Sequence, residues 1–236
     1  MSTLMDFFCG RLARRTLLSR LLPLIFVCYF GTLAAAVWLY PGSYNWENKS
    51  ISQLLYPRNN PKFHLVPAFG VATAGFLMIP FAGYISRRLR ESSRIPSAVG
   101  GCAFVAGAVL LTLAGLILSH PARGVSAFPR LHDILARACA CSLGAGMLAF
   151  YIGLLRTRCV RSTAGALTVA WTILIVPALV VSFLRLAAAT RFRWSNPLYL
   201  AVRSPALWHL GFWEWIGSEA IFLFLLSAAV WLPEQY

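Results

Sequence analysis

Long apolar runs separated by short polar segments are the dominant pattern along this chain. Apolar residues are continuous within each run rather than alternating, which favours helices over strands. Each run is close to the ~20 residues that a helix needs to cross about 30 Å of hydrocarbon. The pattern predicts an all-α polytopic integral membrane protein, one domain over residues 1–236, with a bundle of six transmembrane helices at about 21–40, 65–85, 98–119, 132–155, 163–186 and 211–232.

The first apolar run has a second interpretation. A signal peptide also places arginines before an apolar stretch, and Ala34-Ala35-Ala36 resembles a cleavage site. The apolar region of a signal peptide is typically about 7–15 residues, whereas the run at 21–40 is long enough to span a bilayer. We therefore predict an uncleaved first transmembrane helix.

The composition agrees with a membrane environment. Of the 236 residues, 59% are hydrophobic and 12% are charged, whereas soluble domains average about 25% charged residues. The formal net charge of +14 comes from 21 Lys and Arg against 7 Asp and Glu. Because the basic residues lie in short segments between apolar runs, they indicate membrane lipid head groups as partners, and nucleic acid is not expected.

The distribution of Lys and Arg predicts an orientation. The N-terminal segment and the segments between spans two and three and between spans four and five are short and rich in arginine, whereas the other three are longer. The positive-inside rule therefore places both termini in the cytoplasm. The Arg-rich, Ala-rich composition indicates a bacterial source, and hence the inner membrane.

Most of the polar side chains next to the spans fall on the predicted outer side. All four histidines border spans there, and Glu214 begins the last span. The arrangement predicts an outer pocket for a lipid head group or a small anionic ligand, because arginine and histidine bind such groups. The candidate ligand-binding residues are Ser50, His64, Arg137, Arg191, Arg193 and Glu214.

Three other interpretations remain open. A membrane-embedded hydrolase or transferase acting on lipid would use Ser52, His132 and Asp133 as catalytic residues. Zn²⁺ is a possible cofactor, and its candidate ligands are His64, His132 and His209. A small-solute transporter would need acidic residues deep in the membrane, and no central acid or internal repeat is evident. The third alternative is structural, an ion pair of Arg137 with Glu214 or Glu219.

Three short motifs follow one another along the chain. They are Ser50-Ile51-Ser52-x-Leu54, Phe128-Pro129 followed by His132-Asp133 and Ala136, and Glu214. Together they resemble an uncharacterised, mostly prokaryotic membrane family known as a domain of unknown function (nine-nine-eight). The first outer segment is also distantly similar to that of FRAG/DRAM-like membrane proteins, which carry a serine-isoleucine-serine there.

The resemblance implies a six-helix membrane fold and brings no established activity. Family members often carry Pro-x-Asp before the histidine, whereas Pro129 is followed here by Arg130 and Leu131. A role that depends on that acid is therefore not expected in this chain.

Overall fold

The structure, a computed structural model, describes residues 2–118, 131–156 and 209–232, together with residues 166, 170–171, 174, 176–181, 183–184 and 187. Every regular element in these residues is helical. The helices are α1 (Ser2–Phe8), α2 (Arg14–Trp38), α3 (Ile51–Leu55), α4 (Leu65–Leu89), α5 (Arg94–Leu118), α6 (Leu131–Leu155) and α7 (Leu210–Trp231).

Five helices of the described chain, α2 and α4 to α7, are long and apolar enough to cross a membrane. They confirm five of the six predicted apolar runs as helices. Helix α2 begins at Arg14, before the predicted start at residue 21, because the helix extends beyond the end of its apolar run. The remaining run, 163–186, lies largely outside the described residues, although residues 176–181 within it are helical.

The long helices form an antiparallel arrangement with two distinct ends. At one end, a Cβ atom placed on Gly211 at the start of α7 would lie 2.6 Å from the carbonyl oxygen of Lys49, which follows α2. At the other end, the guanidinium of Arg14 at the start of α2 donates to the carbonyl of Val230 near the end of α7. We call these the loop end, where segment 39–64 lies, and the arginine end.

Two further contacts belong to the arginine end. Ser97 near the start of α5 donates a hydrogen bond to the carbonyl of Ser86 near the end of α4. Arg156, which follows α6, donates to the hydroxyl of Ser93 at 3.4 Å. Helix α6 therefore finishes at the arginine end, whereas α7 begins at the loop end.

Four phenylalanines fill the centre of the bundle on the arginine side. Phe81, Phe104, Phe150 and Phe224 come from α4, α5, α6 and α7, and all are fully buried. Their rings contact one another with centroid separations from 5.8 to 6.5 Å. These aromatic side chains therefore fill the interior between α4, α5, α6 and α7 on this side.

Helix α2 is distorted by two π-helical turns, Leu17–Leu21 and Val27–Gly31. Pro23 lacks an N–H group, and its ring crowds the carbonyl four residues earlier, within the first of these turns. Thr32 follows the second turn and donates its hydroxyl to the carbonyl of Cys28 at 2.6 Å. Such turns reorient the side chains they contain, and the second one carries Tyr29 into the interior, where it is 6% exposed.

The first polar segment contains a helix that the sequence analysis did not predict. Helix α3 runs from Ile51 to Leu55, directly after Ser50, whose backbone is extended at the N-cap position. Ile51, Leu54 and Leu55 are buried, and their spacing places them on one face. The apolar face of α3 packs against the core, and the polar residues around it are thereby fixed over the bundle.

Candidate functional site

A cavity of about 420 Å³ occupies the loop half of the bundle. Its walls are contributed by α2, α4, α5, α6 and α7, and its roof by the segment around α3. The polar residues among its described lining are Tyr29, Asn48, Ser50, Ser52, Gln53, His132, Arg137, Cys139, Cys141, Trp213, Glu214 and Ser218.

The cavity is amphipathic along the bundle axis. Ser50 and Ser52 belong to the roof, and their hydroxyl oxygens lie 2.7 Å apart. Met78 from α4 and Phe222 from α7 lie deeper, among the apolar lining residues. A molecule with a polar head and an apolar tail would therefore find complementary surfaces at the two ends of the space.

Small side chains explain why this half of the bundle is open. Ala136, Ala140 and Gly144 line the cavity from α6 at intervals of one turn. Gly217 lines it from α7. None of these residues is large enough to fill the space between helix axes, whereas the phenylalanines of the arginine half fill theirs.

The roof is held to α7 through a close backbone contact. The virtual Cβ of Gly211 would lie 2.6 Å from the carbonyl oxygen and 2.7 Å from the carbonyl carbon of Lys49, so any larger residue would push the roof away. Trp46 stacks on Phe212 with ring centroids 5.5 Å apart. These contacts bring Asn48 and Ser50 over the first turns of α7.

A hydrogen bond between aromatic side chains adds to this attachment. The indole N–H of Trp215 donates to the phenol oxygen of Tyr44 at 3.1 Å, and the phenol lies 3.1 Å from the carbonyl oxygen of Lys49. Burial raises the pKa of Tyr44 to about 12, the hydrogen bond from Trp215 lowers it in part, and the Glu214 carboxylate raises it further. Tyr44 is therefore a neutral donor at physiological pH.

A chain of hydroxyl groups crosses the cavity wall from α2 to α7. The oxygens of Tyr29 and Ser218 lie 2.8 Å apart, and the hydroxyl of Ser218 donates to the carbonyl of Glu214 at 2.7 Å. Because Ser218 uses its one proton on that carbonyl, Tyr29 is the donor between the two side chains. This chain fixes the register of α7 against α2 at the depth of the cavity.

The structure brings together five of the predicted site residues. Ser50, Ser52, His132, Arg137 and Glu214 all line the cavity, although they come from the roof, α6 and α7. Their common position in one cavity agrees with the predicted polar pocket. The catalytic and ligand-binding roles given to them remain predictions.

The other predicted residues do not join this group or lie beyond the description. His64 and His209 occupy the N-cap positions of α4 and α7 at the loop end, and neither is among the described residues that line the cavity. The imidazole Nδ1 of His64 lies 3.2 Å from the carbonyl of Asn60 instead. Arg191 and Arg193, and the side chain of Asp133, fall outside the described residues.

The predicted structural ion pair of Arg137 has two possible partners, Glu214 and Glu219. Glu214 lines the same cavity as Arg137, whereas Glu219 is exposed, and the ion pair itself stays a prediction. Glu214 and Glu219 differ by five positions and therefore by about 140° around the helix, given about 100° per residue. Glu214 lines the cavity, and Glu219 consequently faces the surroundings.

The metal-binding roles predicted for His64, His132 and His209, and the catalytic roles predicted for Ser52, His132 and Asp133, stay predictions. No group of three or more His, Cys, Asp and Glu residues among the described side chains is arranged to hold a metal ion. The hydroxyl of Ser52 is hydrogen-bonded to Ser50, and His132 lines the same cavity.

Sequence reasoning missed Tyr29 and Ser218 as site residues. Tyr29 is a lone phenol within an apolar run, and a polar side chain at that depth normally finds a partner. Ser218 follows Glu214 by four positions, which places both on one face of α7. These two signals together would have indicated a polar contact between the first and last helices.

Comparison of the chain with protein-family models, with curated proteins and with solved structures gives no match. The described lining offers one guanidinium, one carboxylate, one imidazole and several hydroxyls over an apolar floor. Such a lining can bind a charged or hydroxylated head group and shelter an attached apolar chain.

Proposed function

We propose that this chain is an integral membrane protein of six transmembrane helices that binds a lipid head group or a related anionic amphiphile in the cavity at its loop end. The observation that supports this proposal is that a polar roof and an apolar floor enclose one cavity of about 420 Å³. That volume lies within the range of about 300–1,000 Å³ typical of ligand pockets.

The path of the chain supports a sixth crossing. Helix α6 finishes at the arginine end, where Arg156 contacts Ser93, and α7 begins at the loop end, where Gly211 contacts Lys49. A further crossing between α6 and α7 would connect these two ends. The apolar run at 163–186 is long enough to make that crossing of a bilayer.

The charges of the two ends support the orientation. Arg87, Arg88, Arg90 and Arg94 cluster at the end of α4 and the start of α5, at the arginine end, and Arg14 lies at the same end. We infer that this end faces the cytoplasm of a bacterial cell and that the cavity opens toward the outer leaflet. On the motifs around Ser50 and His132, we also propose kinship with the uncharacterised six-helix family.

Arg137 is the group proposed to bind the anionic part of the ligand. It is half-buried and lines the cavity from α6, and hydrogen bonds from a guanidinium to a phosphate are among the strong ones. Glu214, on the opposite helix, can accept hydrogen bonds from the hydroxyl or ammonium groups of the same head group. Met78 lies along the proposed path of the acyl chain.

Binding of a brominated lysophosphatidylglycerol tests this proposal. Bromine quenches indole fluorescence on contact, and Trp213 lines the cavity. We expect saturable quenching, at least tenfold weaker binding in Arg137→Gln because a charge-assisted hydrogen bond is worth about 1.5–3 kcal/mol, and loss of binding in Met78→Trp, which fills the floor. Equal affinity of wild type and Arg137→Gln would contradict the proposal.

Arg20→Gln is the matched control for this experiment. Arg20 is an exposed arginine of α2 outside the described cavity lining, so its substitution makes the same change in net charge. We expect unchanged quenching in Arg20→Gln. A loss equal to that of Arg137→Gln would show that general surface charge, rather than the cavity, attracts the probe.

A hydrolase or transferase acting on lipid is the second candidate function. The observation that favours it is the presence of Ser50, Ser52 and His132 in the same cavity, with the two hydroxyl oxygens 2.7 Å apart. Zinc analysis of the purified protein and ester-lipid turnover separate it from simple binding. One equivalent of zinc that disappears in His132→Ala, or turnover that Ser52→Ala abolishes, would support the enzyme, and neither in the wild type would argue against it.

A further inference from the structure

A second concave surface lies at the arginine end, remote from the cavity at the loop end. This arginine cleft, of about 910 Å³, is formed where the turn Cys9–Arg11 packs against the end of α4 and the start of α5. A Cβ atom on Gly10 would lie 2.0 Å from the backbone nitrogen of Tyr84, and Gly10 has a φ of +70°. The turn therefore packs closely on α4, and this contact fixes the position of one wall of the cleft.

Four arginines line the arginine cleft, namely Arg11, Arg87, Arg90 and Arg94. All four are exposed. Arg11 is neutralised by Asp6, with a nitrogen–oxygen distance of 2.7 Å. No acidic side chain is among the described residues that line the cleft, so the cleft carries an excess of positive charge.

Apolar side chains lie beside these charges. Ile95 and Val99, one turn apart on α5, line the same cleft and are 76% and 54% exposed. Free inorganic phosphate has no apolar part that could contact these side chains, whereas the glycerol and upper acyl carbons of a phospholipid could. The cleft also lies at the end of α4 and α5, the level at which lipid phosphates sit around a membrane-spanning helix.

We propose that the arginine cleft binds the phosphate group of an anionic phospholipid. Arg87, Arg90 and Arg94 hold the phosphate oxygens, since a guanidinium offers several N–H donors in a planar arrangement that matches phosphate. Ile95 and Val99 cover the adjacent apolar part of the lipid. The inference concerns the opposite end of the molecule from the proposed ligand cavity and does not depend on it.

Lipid retention measured by native mass spectrometry tests the site. The full chain is equilibrated in neutral detergent micelles with phosphatidylglycerol or with phosphatidylcholine, and the bound lipids are counted. We expect the wild type to retain one more molecule of phosphatidylglycerol than of phosphatidylcholine. The affinity for phosphatidylglycerol should fall about 5-fold for each arginine removed. The double variant Arg90→Gln/Arg94→Gln should therefore bind it roughly 25-fold more weakly.

Two variants keep the result interpretable. Arg15→Gln/Arg20→Gln removes two exposed arginines of α2 that do not line the cleft, and we expect wild-type retention. Arg90→Lys/Arg94→Lys keeps both charges, and we expect retention between those of wild type and the glutamine pair. Equal loss in the control pair and the cleft pair would overturn the proposal, as would equal retention of phosphatidylcholine and phosphatidylglycerol.

A competition arm separates a lipid from free phosphate. Inorganic phosphate at matched ionic strength, with chloride as the reference salt, should displace little of the bound phosphatidylglycerol. Displacement by millimolar phosphate but not by chloride would identify a soluble phosphate site and overturn the lipid assignment. Binding at the loop-end cavity is monitored in the same samples through Arg137→Gln, so failure at one site is distinguishable from failure at the other.

Discussion

The phenol of Tyr29 in α2 donates a hydrogen bond to the hydroxyl of Ser218 in α7 over 2.8 Å, while Ser218 donates to the backbone of its own helix at Glu214. The contact joins two residues that are 189 positions apart in the sequence. It also borders the cavity, so the geometry of the proposed binding site depends on it. The direction of the hydrogen bond makes the two partners unequal.

Ser218→Ala is expected to destabilise the protein more than Tyr29→Phe. The alanine variant leaves the buried Tyr29 hydroxyl without an acceptor, at a cost of about 1–3 kcal/mol, whereas the phenylalanine variant removes a hydrogen bond worth about 0.5–1.5 kcal/mol. Thermal unfolding in detergent measures both. Ser227→Ala is the control, because Ser227 bonds only to the carbonyl of Leu223 within α7, and we expect a near-neutral effect. A reversed order of the first two variants would refute the assigned direction.

Gly70→Ala is expected to separate α4 from α2. A Cβ atom at Gly70 would lie 2.0 Å from the hydroxyl of Thr32 and 2.3 Å from the carbonyl oxygen of Cys28, and the latter is backbone that must move. We expect a loss above about 1 kcal/mol in unfolding free energy, in the range known for overpacking. Gly31→Ala serves as the comparison, because its nearest contact is 3.6 Å away and alanine favours a helix by about 1 kcal/mol. Equal loss in both variants would contradict this packing.

Ionisation of Tyr44 is expected at unusually alkaline pH. Burial raises its pKa to about 12, against about 10 in an unfolded chain. The resulting stabilisation is complete below pH about 10 and is lost as the pH rises through about 12. The tyrosinate absorbance of wild type minus that of Tyr44→Phe measures the transition, and the same difference in denatured protein should titrate near pH 10. A native midpoint near 10 would mean that Tyr44 is not buried by α7.

Glu219 is expected to be dispensable for binding and unfavourable for stability. It is exposed on α7, about 13 Å from the start of the helix at ~1.5 Å per residue. A carboxylate exposed to hydrocarbon at that depth is energetically costly. We expect Glu219→Gln to leave lysophosphatidylglycerol quenching unchanged and to raise the unfolding temperature. Glu47→Gln, an exposed change in the loop segment, should shift it little. Strong destabilisation by Glu219→Gln would reveal a partner for this carboxylate.

Cysteine accessibility is expected to show six crossings. In a background with the native cysteines replaced by serine, single cysteines at residues 45, 125 and 200 should react with an impermeant maleimide from outside intact cells. A cysteine at Glu91, in the arginine-rich turn between α4 and α5, should react only after permeabilisation. Labelling of positions 45 and 200 from opposite sides would eliminate the sixth span.

The apolar runs alone determined the helices, because each run is long and continuous enough to be helical wherever it is placed. The sequence also placed His64, His132 and His209 at one end, since helix starts alternate between ends in an antiparallel bundle. It could not separate the helical segment at Ile51–Leu55 from a polar loop. Its apolar face has meaning only against the core it packs on.

Which polar residues meet was decided by tertiary structure. Glu214 and Glu219 look equivalent in the sequence, yet the rotation of α7 turns the first into the cavity and the second away from it. That rotation is set by contacts between distant segments, such as Gly211 against Lys49 and Ser218 against Tyr29. A hydrophobic pattern fixes the existence and ends of a helix, whereas its rotation depends on the close packing of whichever surfaces it meets.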